Sequence, residues 1–146
     1  TIIGLEEGIP VVYRLGGIAA EKIIDVLGDV KFKTESGSNP GAPGMLLSHY
    51  APRKPLFLQN QIQVGADAFY IRYRQALPDY PKASQYILSE SGDLHVAAVH
   101  LFEALHLAEK HPESTIIYAE TVPDEGIGRA INDRLQRASF PRNDKE

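Results

Sequence analysis

Between residues 55 and 140, short apolar runs rich in β-branched and aromatic residues alternate with two stretches of helical periodicity. The runs are "PLFLQ" (55–59), "DAFYIRY" (67–73), "SQYILSE" (84–90) and "STIIYAE" (114–120). Each has the length of a strand rather than a helix, and none alternates cleanly with polar residues, so both faces are expected to be covered. Between the third and fourth runs, "SGDLHVAAVHLFEALHLAEKH" places Leu94, Ala97, Ala98, Leu101, Phe102, Leu105 and Ala108 on one helical face. Ser91 or Asp93 is its N-cap. After the fourth run, "GIGRAINDRLQRAS" predicts a final helix with Ile127, Ile131, Leu135 and Ala138 inward. Strands alternating with helices imply an α/β fold: a Rossmann-like, largely parallel sheet flanked by helices.

The first third of the chain has a different pattern. "IIGL" (2–5) and "IPVVYRL" (9–15), joined by "EEG", predict a β-hairpin. "GGIAAEKIIDVLG" then predicts a short helix with Ile18, Ile23, Ile24 and Leu27 inward and Gly28 as C-cap. A hairpin and one short helix bury little alone. This reads as the last part of another α/β domain, and the opening "TIIGLEEG", without Met and already β-branched, predicts that the chain is the C-terminal part of a longer protein. Residues 29–55 have no usable periodicity and read as a linker. The expected units are therefore 1–28, 29–55 and 56–146, with "PRNDKE" a frayed tail.

Charge and composition exclude several functions. A net charge of −4 is a poor match for a polyanion, so direct binding of RNA or DNA is not expected. There is no cysteine, hence no disulfide and no thiolate metal site. No apolar run reaches the roughly 20 residues of a membrane span and no signal-peptide pattern is present. The expected location is cytoplasmic.

Four features could carry chemistry. "TVPDEGIGRAI" (121–131) runs from a strand into a helix, where Rossmann-like folds hold phosphate, but Asp124 and Glu125 would repel an anion. His95, His100, His106 and His111 are spaced 5, 6 and 5 apart, which matches no zinc pair and predicts solvated helix positions rather than a metal site. Arg14 stands at a strand end before two glycines, as either a surface residue or a grip for carboxylate or phosphate. Finally, "NPGAPGMLLSHYAPRKP" (39–55) is too rich in proline and glycine for helix or central strand, yet carries His49, Tyr50, Arg53 and Lys54. These are either anchors of a spacer or an aromatic and cationic lid over a nucleotide.

The stretch "PGMLLSHYAPRKPL" resembles the signature linker of the two-domain threonylcarbamoyl-AMP synthases, in which a "PGM…HYAP" segment joins a YrdC-type catalytic domain to a smaller C-terminal domain. "TIIGLEEGIPVVYRLGGI" resembles the end of that catalytic domain, with its "R-x-G" turn, and "VPDEGIGRAINDRLQRAS" the close of the C-terminal domain. Leu15 stands where proline is common, and "LLSHY" replaces a more basic "KYRHY".

The resemblance implies synthesis of threonylcarbamoyl-adenylate from ATP, L-threonine and bicarbonate, with release of pyrophosphate. Magnesium accompanies the ATP, which is bound mainly by the upstream domain. The product supplies downstream proteins that transfer the threonylcarbamoyl group to tRNA. The resemblance implies that Arg14 and Tyr50 bind the nucleotide, with His49, Arg53 and Lys54 as further lid or phosphate contacts. It places no catalytic residue and no metal ligand in these 146 residues, and the fragment alone is expected to be inactive. The rival expectation is a non-catalytic module that binds a nucleotide or a partner protein.

Overall fold

A computed structural model describes residues 1–34, 51–59, 65 and 67–140. Two sheets form, one for each end of the chain.

In the first, strands β1 (Ile2–Glu6) and β2 (Ile9–Arg14) are antiparallel, as the hairpin pattern predicts. Glu7 and Gly8 have φ of 50° and 81°, the positive pair that matches a two-residue turn to the right-handed twist of the strands. Helix α1 (Ala20–Leu27) follows, and the Gly28 N–H caps the Ile24 carbonyl at 2.8 Å with φ at 74°, as a glycine C-cap should. The inward face expected of α1 is corrected: Ile18, Ile24 and Leu27 are exposed, and only Ala20 and Ile23 are buried. An eight-residue helix has little more than two turns, and Ile23 is its one large side chain that is buried. A second difference lies in the aperiodic stretch. Lys31–Phe32 forms β3, a two-residue strand parallel to β2 through Val11 and Val12, both fully buried. Two residues are too short for any periodicity to register.

The second sheet has the order β4 (Leu56–Leu58), β7 (Ile116–Ala119), β5 (Ala68–Arg72), β6 (Gln85–Ile87), and every neighbouring pair is parallel. Helix α2 (Leu94–Lys110) connects β6 to β7, and α3 (Gly128–Ala138) closes the fold. Asp93 is the N-cap of α2: its Oδ1 accepts from the N–H groups of His95 (2.7 Å) and Val96 (3.3 Å). Phe69 and Ile71 point from β5 into a core shared with Leu101 and Leu105 of α2 and Ile131 and Leu135 of α3. Phe102, expected in that core, is 46% exposed. The alternate side chains of β5, Ala68 and Tyr70, join a second cluster with Leu77. There Tyr70 meets Tyr80 edge-on at 4.8 Å and stacks on Tyr118 at 5.4 Å. The unbroken run Ala68 to Ile71 in β5 is thus explained by burial on both sides.

The two units touch at helix α3. Arg129 pairs with Glu21 of α1 at 3.1 Å, and an Arg137 Nη donates to the Thr34 carbonyl at 2.6 Å. No described helix is long and apolar enough to cross a membrane.

Candidate functional site

Arg14 is the last residue of β2, two positions before Gly16. The strand's inner residues, Val11 and Val12, are sealed, so its end is held firmly while the guanidinium lies half-buried. Its Nε is shielded from solvent and has no hydrogen-bond partner among the described residues. A buried cationic donor without a partner costs free energy and indicates a place for an acceptor. The chain turns at Gly16, which lies so close to the β1 end that a Cβ would stand 2.2 Å from the Thr1 nitrogen. Gly16 and Gly17 then line a cleft of about 120 Å³ with Phe102 of α2, Ile127 just before α3, and Arg134 of α3. The Arg134 guanidinium carbon lies 4.9 Å from the Phe102 ring centroid, within cation–π range.

The other candidate positions fall on the stretch 29–55. His49 and Tyr50 lie outside the described residues. The chain on either side of them is held by the second unit. On the near side, Arg137, only 4% exposed, donates from Nε and Nη2 to the two Asp133 oxygens at 2.9 and 3.1 Å, and the same Nη2 also donates to the Thr34 carbonyl at 2.6 Å. On the far side Ala51 and Pro52 are buried. The Arg53 side chain is exposed, and its backbone N–H donates to Glu109 at 3.3 Å.

Lys54 has partners within the second unit. Its ammonium donates to the carbonyls of Ala108 (3.0 Å) and His111 (2.5 Å) and to the Ser114 hydroxyl (3.1 Å). The last carbonyls of a helix lack intrahelical partners and carry the negative end of its dipole, and an ammonium satisfies both needs. All three of its donors are taken, so Lys54 closes α2 instead of standing ready for phosphate.

The strand-to-helix turn at 121–128 is a packed joint. Asn132 grips Val122 with both amide atoms, accepting from its N–H and donating to its carbonyl, each at 2.9 Å. Asp124 accepts from Asn132 at 3.3 Å, and a Cβ on Gly128 would lie 2.0 Å from the Pro123 carbonyl oxygen. Nearby, at the carboxyl ends of the parallel strands, α/β sheets commonly bind ligands. Here Glu120 accepts from the Tyr73 N–H at 2.9 Å and pairs with Arg72 at 3.3 Å. The space left beside Gln59, Tyr118 and this pair is about 10 Å³, room for one water at most.

The histidines are not all solvated as expected. His95 and His106 are exposed, whereas His100 Nδ1 bonds the Leu88 carbonyl at 2.8 Å. His111 sits at the α2 C-cap, with Nε2 3.3 Å from the Ser84 hydroxyl and its ring against Phe69. Among the described residues no group of three His, Asp or Glu is placed to hold a metal ion.

Arg72, Glu120, Asn132 and Arg137 were not singled out in the sequence. Arg137 meets a residue 103 positions away, and no local spacing announces such a contact.

Comparison with known proteins identifies this arrangement. The family described as "Threonylcarbamoyl-AMP synthase, C-terminal domain" matches residues 18–139. The threonylcarbamoyl-AMP synthase of Bacillus subtilis (strain 168) is 31% identical over 95% of this chain and 44% of its own length. That of Pyrococcus abyssi (strain GE5 / Orsay) is 27% identical, covering 95% and 45%. The chain thus spans less than half the length of these relatives. Among solved structures, P. abyssi Sua5 complexed with L-threonine superposes with a TM-score of 0.79 at 26% identity, covering 97% of this chain and 46% of that one. A P. abyssi Sua5 variant, with an adjacent histidine and tyrosine both replaced by alanine, superposes with a TM-score of 0.74 at 24% identity, covering 96% and 44%.

Proposed function

This chain belongs to the threonylcarbamoyl-AMP synthase C-terminal domain family, and from that premise we propose that it is the C-terminal part of an L-threonylcarbamoyladenylate synthase serving tRNA modification. The substrates are ATP, L-threonine and bicarbonate. The threonine amine and bicarbonate give a carbamate with loss of water, a carbamate oxygen attacks the α-phosphorus of ATP, and pyrophosphate leaves. Such a reaction depends on placing three reactants and neutralising phosphate charge, and needs no covalent nucleophile.

The observation that carries this reading, beside the family match, is Arg14 at the end of β2, whose buried Nε has no hydrogen-bond partner among the described residues. In the proposed enzyme that guanidinium contacts the nucleotide. Tyr50 approaches the same nucleotide from the segment between Thr34 and Ala51. The two ends of that segment are fixed on the second unit, by Arg137 at Thr34 and by the buried Ala51 and Pro52. A tethered segment that closes over the site keeps water from the mixed anhydride. The His-Tyr dipeptide occurs once in this chain, at His49 and Tyr50. Magnesium and most of the triphosphate contacts belong, on this reading, to the upstream domain, and the 146 residues alone make no adenylate.

The test is adenylate formation by the longer chain, its Tyr50→Ala variant and the isolated 146 residues. Activity in the longer chain, loss of turnover or a shortened product lifetime in the variant, and none in the isolated piece support the reading. Unchanged turnover and product lifetime in Tyr50→Ala overturn the role of the segment. Adenylate formed by the isolated residues overturns the division of labour.

A further inference from the structure

Arg137 is an unusual residue to find inside a small domain. It is 4% exposed, and its Asp133 partner is one helical turn away. Burying an ion pair rarely adds stability over well-packed hydrophobic residues. A reason other than stability is therefore required, and the contact outside the helix supplies one. The guanidinium reaches the Thr34 carbonyl at 2.6 Å. Thr34 follows β3, and β3 pairs directly with Val11 and Val12 of β2. The Lys33 N–H also donates to the Val12 carbonyl at 2.9 Å. Arg14 is two residues beyond Val12 on that strand. A short, hydrogen-bonded line therefore runs from Arg137 through Thr34, β3 and β2 to Arg14. Two further points join the same helix to the first unit: the Arg129–Glu21 pair, and Arg134 beside Gly16 and Gly17. Three separated points fix the orientation of one body on another.

We propose that Arg137 is a positioning residue, which sets the place of Arg14 by holding the Thr34 carbonyl, so that the C-terminal domain tunes nucleotide affinity without touching the nucleotide. This rests on the reading in which Arg14 contacts ATP.

The experiment compares ATP affinity, by calorimetry, and substrate KM values for the longer chain carrying Arg14→Ala, Arg137→Met, Arg137→Lys, and Arg14→Ala with Arg137→Met. Lysine keeps the charge opposite Asp133 but lacks the forked donors needed to reach Thr34 as well, so it preserves the fold if methionine does not. Either Arg137 variant is expected to weaken ATP binding roughly tenfold, within the range shown by coupled residues. The KM for L-threonine should stay unchanged, and the double variant should bind ATP no more weakly than Arg14→Ala. ATP binding unchanged in Arg137→Lys, or an effect that adds in full to that of Arg14→Ala, overturns the proposal. Unchanged binding in Arg14→Ala alone overturns the Arg14 reading and the proposal with it, and that outcome is told apart by the single Arg14 variant.

Discussion

Replacing Lys54 with methionine separates two roles that the sequence leaves open. The variant keeps most of the aliphatic stem and removes the ammonium. Three hydrogen bonds disappear, from the carbonyls of Ala108 and His111 and from the Ser114 hydroxyl. A hydrogen bond from a charged donor contributes about 1.5–3 kcal/mol. Water replaces part of this at a half-buried position, so the summed loss is about 2–3 kcal/mol. The favourable charge at the negative end of α2 is lost too, at about 0.3–1 kcal/mol. For a chain of this size that corresponds to a fall in Tm of about 5–10 °C. Urea denaturation should show a lower midpoint with an unchanged slope, as expected when contacts are lost without a change in the surface exposed. The control is Arg53→Met: that side chain is exposed, and its stability effect should stay within about 0.5 kcal/mol. Equal stabilities for Lys54→Met and the parent would refute the capping role and return Lys54 to the candidates for phosphate contact.

Other perturbations test other joints. Asn132→Ala removes the two-sided grip on Val122 and should cost about 2–3 kcal/mol in the same denaturation assay. Gly128→Ala places a methyl 2.0 Å from the Pro123 carbonyl and should lower Tm markedly, while Asp93→Ala should cost only about 1 kcal/mol through the lost N-cap. Burial and the hydrogen bond to Glu103 push the Tyr86 hydroxyl up to about 12. Its neutral form is favoured by folding, so this contribution is intact below the ordinary tyrosine value and is lost as pH rises through about 12, which tyrosinate absorbance and denaturation at high pH can follow. The opposite sign holds at Glu6, whose carboxyl is held below its usual range by hydrogen bonds from Lys33 and from Tyr13. Its contribution is present above the ordinary glutamate value and lost as pH falls through the lowered one, an effect that Glu6→Gln should abolish.

The elements that local pattern governs were legible in the sequence. The four strand runs of the second unit and the Asp93-capped α2 follow from apolar periodicity and cap chemistry, because each is decided within a dozen residues. The hairpin with its Glu7 and Gly8 turn follows for the same reason. What escaped depends on partners distant in sequence. The Arg137 to Thr34 contact and the Lys54 cap join residues 103 and 54 to 60 positions apart. A lysine in "APRKP" looks identical whether it faces a phosphate or a helix end. Phe102 fits the apolar spacing of α2, yet it lies under Arg134 at the seam, because the position of the first unit and not helical periodicity decides its surroundings. Of the candidate site, Arg14 was legible as a strand-end arginine before two glycines. The burial of its Nε was not, since that requires the three-dimensional packing around β2.

The most direct test of the account is pyrophosphate release by the longer chain supplied with ATP and magnesium, omitting L-threonine and bicarbonate in turn, with Arg14→Ala alongside. The account predicts release that requires both substrates and falls sharply in Arg14→Ala. Release indifferent to either substrate would contradict the synthase reading, and full activity in Arg14→Ala would contradict the site.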